Sequence, residues 1–184
     1  LWKGLKRMDV DIPKTVSTQQ NSGPLSSGGQ HPSGTGRSNG GTGGTAGGGG
    51  PAGRPHLDAP VVNNGYRWWY IDATSDDGLH GLTIIGFVGS VFSPYYARAR
   101  KQGEANPENH CAINVALYGQ HKRWAMTERG ASHVKRTPNS FTVGPSSMAW
   151  DNGSLVININ ERCAPLPFAL KGRVVFTPTH YYDA

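Results

Sequence analysis

From about residue 60 onward the apolar positions fall into short runs separated by turn residues; before that point there is almost no apolar pattern. Tyr66–Ala73 (YRWWYIDA) is dense in aromatic and β-favouring residues. Ser75-Asp76-Asp77-Gly78 reads as a turn, with Asp-Gly as its hairpin signal, and His80–Gly89 (HGLTIIGFVG) as the return strand. Cys111–Tyr118 and Lys122–Glu128 predict a second hairpin around Gly119-Gln120-His121. Further short strands are predicted at Phe141–Val143, Met148–Trp150, Leu155–Asn160 and Leu170–Phe176. Asn152-Gly153 is the strongest short hairpin signal of the chain. In LVININ, Leu155, Ile157 and Ile159 recur at the strand period of two, which predicts one inner face.

One stretch breaks the strand pattern. In Ser93–Gly103 (SPYYARARKQG), Ser93 suits an N-cap, Pro94 the first helical position and Gly103 the end. The pattern therefore predicts an all-β, antiparallel barrel or sandwich with one short helix.

Composition changes the picture mainly at the N-terminus. Many of the 26 glycines crowd into residues 17–57, a Gly/Ser/Thr/Pro stretch too poor in apolar surface to offset its ordering entropy. Residues 1–57 are read as a disordered tail and residues 58–184 as the β unit, with order beginning near Pro60. The glycine runs do not form a phosphate loop, since no strand, helix or Gly-Lys-Ser/Thr end accompanies them. The tail also holds most of the net charge of +6, with six basic residues against two acidic. The β unit is nearly balanced, which argues against a nucleic-acid surface. The tail cations allow at most a weak attraction to an anionic membrane surface.

Cys111 and Cys163 make neither a disulfide framework nor a zinc ribbon, and read as small buried apolar residues. The histidines are scattered without a metal-binding spacing, and no G-x-S-x-G elbow is present. No run approaches the ~18 apolar residues of a membrane helix. What stands out is aromatic density beside acids. Trp68, Trp69 and Tyr70 run into Asp72; Phe92, Tyr95 and Tyr96 flank the helix; Trp124 precedes Glu128. Consecutive Trp68 and Trp69 must face opposite sides of their strand.

Several strings, WWYIDATSDDG (68–78), GSVFSPYYARAR (89–100), PENHCAINVALYG (107–119) and RWAMTERG (123–130), resemble the N-terminal half of bacterial carotenoid 1,2-hydratases, also called hydroxyneurosporene synthases. VGPSSMAWDNGSLVINI (143–159) and PLPFALKGRVVFTP (165–178) continue the likeness more loosely, over roughly residues 58–178. The Gly-rich stretch lies outside it. Family members continue past this C-terminus with a second β-rich half, which implies that the chain is truncated.

The resemblance implies a lipocalin-like antiparallel β structure that holds a long apolar guest. It implies hydration of the 1,2 double bond of acyclic carotenoids such as neurosporene and lycopene, without a cofactor. It further implies a bacterial protein of the cytoplasm or of the cytoplasmic face of a photosynthetic membrane, in peripheral contact at most. The chemistry needs an acid to protonate C2, aromatic faces to stabilise the tertiary cation at C1, and a base for the incoming water. Asp72 is the first candidate acid, or else a cap of the 75–78 turn. Glu128 is the second, as acid or water base, or else an ion-pair partner of Arg129. Tyr70 is a candidate proton relay. Trp68, Trp69, Phe92, Tyr95, Tyr96, Asn114 and Trp124 are candidates for lining the polyene site, Asn114 as a holder of water. No metal site is expected. The alternative is a non-catalytic isoprenoid or lipid carrier, which would tolerate loss of the acids.

Overall fold

A computed structural model describes residues 18–24, 54–166 and 168–179. The expected frayed segment 1–16 and most of the Gly-rich stretch lie outside the described residues. Ten strands form two five-stranded antiparallel sheets. The first contains β1 (Thr18–Pro24), β2 (Gly65–Thr74), β3 (Gly81–Val88), β4 (Ala112–Tyr118) and β5 (Arg123–Ala125), in that spatial order. The second contains β6 (Val134–Thr137), β7 (Ser140–Val143), β8 (Ser146–Asp151), β9 (Ser154–Arg162) and β10 (Ala169–Phe176), also in chain order. Between β3 and β4 lies the helix α1 (Pro94–Gln102), capped as its sequence predicts: Ser93 Oγ accepts from the Tyr96 amide at 2.9 Å.

The hairpins follow local chemistry. Asn152 and Gly153 both take positive φ, 45° and 87°, and join the paired ends Asp151 and Ser154 of β8 and β9. This is the two-residue turn whose twist matches that of the strands it links. The 75–78 turn is held by Asp77, whose Oδ1 accepts from Ser75 Oγ at 2.5 Å and from the Leu79 amide at 2.9 Å. Asp72 takes no part in these bonds.

Alternation decides what each sheet buries. Trp69 and Ile71 of β2, Ile84 of β3 and Val115 of β4 meet Phe141, Met148, Ile157 and Phe176 of the second sheet in one core. The Trp69 and Phe141 rings lie 5.3 Å apart. Trp69 sits opposite Gly86 in the β2–β3 ladder. A side chain at Gly86 would meet Met148 Sδ at 2.7 Å, so the glycine makes room for the sulfur between the sheets. As expected, Leu155, Ile157 and Ile159 face inward.

The barrel expectation needs correction. No ladder joins the two sheets, and β1, β5, β6 and β10 remain edge strands. The described residues therefore make an open sandwich whose interior is filled by side chains.

The tail expectation also shifts. Thr18–Pro24 pairs antiparallel with Gly65–Ile71 as an edge strand. An edge strand needs backbone hydrogen bonds rather than an apolar face, so low apolar content does not exclude it. Leu57, at 1% exposure, belongs to the core. Its carbonyl and that of Ala59 accept from Arg136 Nε (3.1 Å) and Nη2 (2.5 Å), and Arg136 Nη1 also binds Glu108. This one arginine of β6 ties the entry segment to the turn before β4, and order begins before the predicted boundary.

Both cysteines are buried and unpaired by disulfide. Burial pushes the Cys111 thiol up from 9.0 to about 12, with Glu108 adding to the shift. Because folding raises this pKa, its contribution to stability is complete below about pH 9 and is lost as pH rises towards 12. Native Cys111 is expected to resist iodoacetamide at pH 8 and to react once urea unfolds the chain. Equal labelling rates in the two states would contradict its burial.

Candidate functional site

The face of the first sheet turned away from the second gathers polar and aromatic side chains. Its register sets three rows across the strands. Asp72, Thr83, Ala116 and Trp124 form one; Tyr70, Ile85 and Asn114 the next; Trp68, Phe87 and Ala112 the third. Side chains in neighbouring rows stand on the same face because residues two apart on a strand do so. A groove of about 470 Å³ opens over the first two rows, lined by Tyr70, Thr83, Ile85, Asn114, Ala116 and Trp124, with Phe92 and Tyr118 at its sides.

Asp72, opposite Thr83 in the first row, is held by hydroxyls of two residues that line the groove. Tyr70 Oη donates to Oδ2 and Thr83 Oγ1 donates to Oδ1, each at 2.5 Å. One donor is two residues along the same strand and the other is its cross-strand partner, so the sheet itself fixes the carboxylate. The bond to Asp72 pushes the Tyr70 phenol above its ordinary value, reinforced by desolvation. Tyr70 therefore holds its proton on Asp72 rather than releasing it. Both oxygens of Asp72 therefore accept a hydrogen bond, which fixes the carboxylate in one orientation.

At the other side Asn114, buried on β4, accepts from Trp124 Nε1 at 2.7 Å. That bond fixes the indole of a half-exposed tryptophan on a three-residue strand. Asn114 thus stands in the groove wall with its oxygen tied to the indole. Beyond the groove the aromatic lining continues along the sheet. Trp68 meets Phe87 edge to face at 6.0 Å, and Phe87 meets Phe92 at 5.4 Å.

The structure thus brings together Asp72, Tyr70, Asn114, Trp124 and Phe92, with Trp68 on the same face. It does not bring the others there. Trp69 faces the sandwich core. Tyr96 is buried under α1, its hydroxyl donating to the Gly65 carbonyl at 2.5 Å and its ring 4.7 Å from that of His110. Tyr95 is exposed on the helix. Glu128 binds His110 Nδ1 at 2.5 Å instead of Arg129. His110 precedes Asn114 by four residues, ~13 Å at the strand rise of ~3.3 Å. Arg129 turns the other way, to Glu161.

Thr83 is the site residue that sequence reasoning passed over. A signal existed: it is the one hydroxyl in the apolar run Leu82–Val88, and hairpin counting from the 75–78 turn sets it opposite Asp72. Ile85, Ala116 and Tyr118 carry no comparable signal. Among the described residues no three His, Cys, Asp or Glu side chains gather as a metal site, and no helix is long and apolar enough to cross a membrane.

The family described as carotenoid hydratase CrtC matches residues 84–184, more than half of the chain, and the chain belongs to that family. It is 48% identical to the acyclic carotenoid 1,2-hydratase of Thiocapsa roseopersicina, over 97% of this chain and 44% of the relative. It is 49% identical to that of Rubrivivax gelatinosus, over 95% of this chain and 44% of the relative. A third acyclic carotenoid 1,2-hydratase, from Cereibacter sphaeroides, is 46% identical over 54% of this chain and 35% of the relative. The chain spans under half the length of these relatives. The first two alignments run through the Gly-rich stretch, which therefore does not stand apart from the likeness. No solved structure matches the chain.

Proposed function

We propose that this chain supplies the substrate-binding face of an enzyme that adds water to the C1–C2 double bond of acyclic carotenoids such as neurosporene and lycopene. One observation carries the reading: a carboxylate fixed by two hydroxyls, both from residues that line an apolar, aromatic groove, in a chain of the carotenoid hydratase family. The guest lies on the outer face of an open sheet, and the lipocalin likeness is kept only in that sense of an apolar guest on a β scaffold.

The chemistry assigns roles. An acid from the part of the relatives' length that this chain does not span delivers a proton to C2 and leaves a tertiary cation at C1. The faces of Trp124, Phe92 and Tyr118 stabilise that charge, by roughly 0.5–2 kcal/mol each. Water attacks C1, and its spare proton passes to Asp72, which stays aligned by Tyr70 and Thr83. Asn114 offers its amide to the water. The product is a tertiary alcohol with no change of oxidation state overall. Asp72 thereby moves from proposed acid to proposed base. Glu128, bound to His110 farther along the sheet, is set aside as the groove's acid. Among the described residues lining the groove, none is placed as the proton donor.

The test is a pigment assay in lycopene-producing cells, comparing this chain with a protein of the relatives' full length that contains it. A mass gain of one water in the longer form is expected, on extraction and mass spectrometry. Bound but unchanged lycopene in both forms would favour a non-catalytic isoprenoid carrier.

A further inference from the structure

A second recess, of about 480 Å³, opens beside the first and shares Ala116, Tyr118 and Trp124 with it. Its far wall is the corner between β9 and β10, with Cys163, Pro165, Leu166 and Phe168. The corner is bonded to β5, since the Ala164 amide donates to the Trp124 carbonyl at 3.0 Å. The two recesses differ in chemistry. Asn114, Thr83 and Tyr70 line only the first; the second adds apolar wall, with Lys122 and Arg123 at its rim. Arg123 lies over the Phe168 ring at 6.0 Å. Leu166 and Phe168 are 60% and 58% exposed, unusual for large apolar side chains placed side by side at a corner.

Resting on the reading above, we propose that the two recesses form one trough across the strands, which seats the reacting end of an acyclic isoprenoid at Asp72 and its polyene body over Trp124 against Leu166 and Phe168. The direction follows from the register: the row Asp72, Thr83, Ala116, Trp124 crosses three inter-strand gaps, and the corner adds one more. At ~4.8 Å per gap the trough is ~19 Å long. Trp124 is the rail between its halves, because the bond to Asn114 keeps its indole from swinging into the path. The corner thus selects for chain length, while the head of the groove handles the terminus.

The test uses this chain in detergent, with lycopene and tritiated farnesol as a long and a short probe. Retention of each on gel filtration is measured for the parent chain, Phe168→Asp and Leu166→Asp. Both substitutions are at exposed positions, and circular dichroism checks that each variant is folded. The expected result is that lycopene retention falls about tenfold or more in both variants, as an apolar wall becomes charged, while farnesol retention is unchanged. Equal losses for both probes, or no loss for lycopene, would overturn the extended trough and leave the groove reading standing. Retention of neither probe by the parent chain would overturn both.

Discussion

Arg129→Ala is expected to lower the unfolding free energy by about 3–5 kcal/mol, the usual cost of stripping the partner from a buried charge. The Glu161 side chain is 0% exposed, and Arg129 binds both its oxygens, at 3.1 and 2.9 Å. Ser146 Oγ donates to Oε1 as well, at 2.5 Å. Arg129 bridges through its backbone to Cys111, the residue just before β4 of the first sheet, while Glu161 and Ser146 belong to the second. The pair therefore joins the two layers at one end of the sandwich. The guanidinium also lies against Gly144, where φ is +58° and a side chain would strike it. Urea titration should show a lower midpoint at an unchanged slope. The double variant Arg129→Met with Glu161→Leu should recover much of the loss, because an apolar pair leaves no stranded charge. A single variant within about 1 kcal/mol of the parent would mean that water reaches Glu161, against the burial described.

Asp72→Asn, in a protein of the relatives' length, is expected to lower carotenoid hydration by about 10²–10⁴-fold, the range for losing a positioned proton acceptor. The amide keeps the shape and one acceptor oxygen, so lycopene binding should change little. Thr83→Val should fall between, because it frees one oxygen of the carboxylate without removing it. Turnover per bound lycopene, measured by pigment analysis at equal protein levels, separates the effects. Full turnover in Asp72→Asn would remove Asp72 from the chemistry and return it to a sheet-surface polar residue.

The parts of this molecule that were legible in the sequence are those written in adjacent residues. Ser93, Pro94 and Gly103 mark the helix because capping is local, and Asn152-Gly153 marks its turn because few residues accept positive φ. The period of two in Leu155–Ile159 shows which side faces inward. The rest depends on partners distant in sequence. Alternation separates Trp68 from Trp69, but only the second sheet decides that Trp69 is inside. Glu128 and Arg129 do not pair with each other, contrary to one reading of the sequence. Their true partners, His110 and Glu161, lie 18 and 32 residues away. β1 and β6 escaped notice because edge strands need no apolar stripe. Tyr70, Asn114 and Trp124 in the groove wall, and Asp72 bound to it, were readable as unusual polar and aromatic positions on strands. That Thr83 completes the Asp72 site became visible only with the register.

The strand order has a kinetic meaning. Every ladder in both sheets joins strands that follow one another in the chain, β1 to β5 and then β6 to β10. Apart from β1 to β2 and the longer link from β3 to β4 that carries α1, each strand reaches its neighbour in the same sheet through a short connection, and from β6 to β9 the connections are tight turns. Hairpin formation takes ~1–10 μs, and short-range pairing avoids the entropy of closing long loops. Each meander can therefore zip from its own turns, with the β8–β9 hairpin as a natural starting point. Docking Trp69 and Ile84 on Phe141 and Met148 joins residues more than fifty positions apart and belongs to the late part of folding. Substitutions in the 152–153 turn should then slow folding, whereas those between the sheets should chiefly speed unfolding.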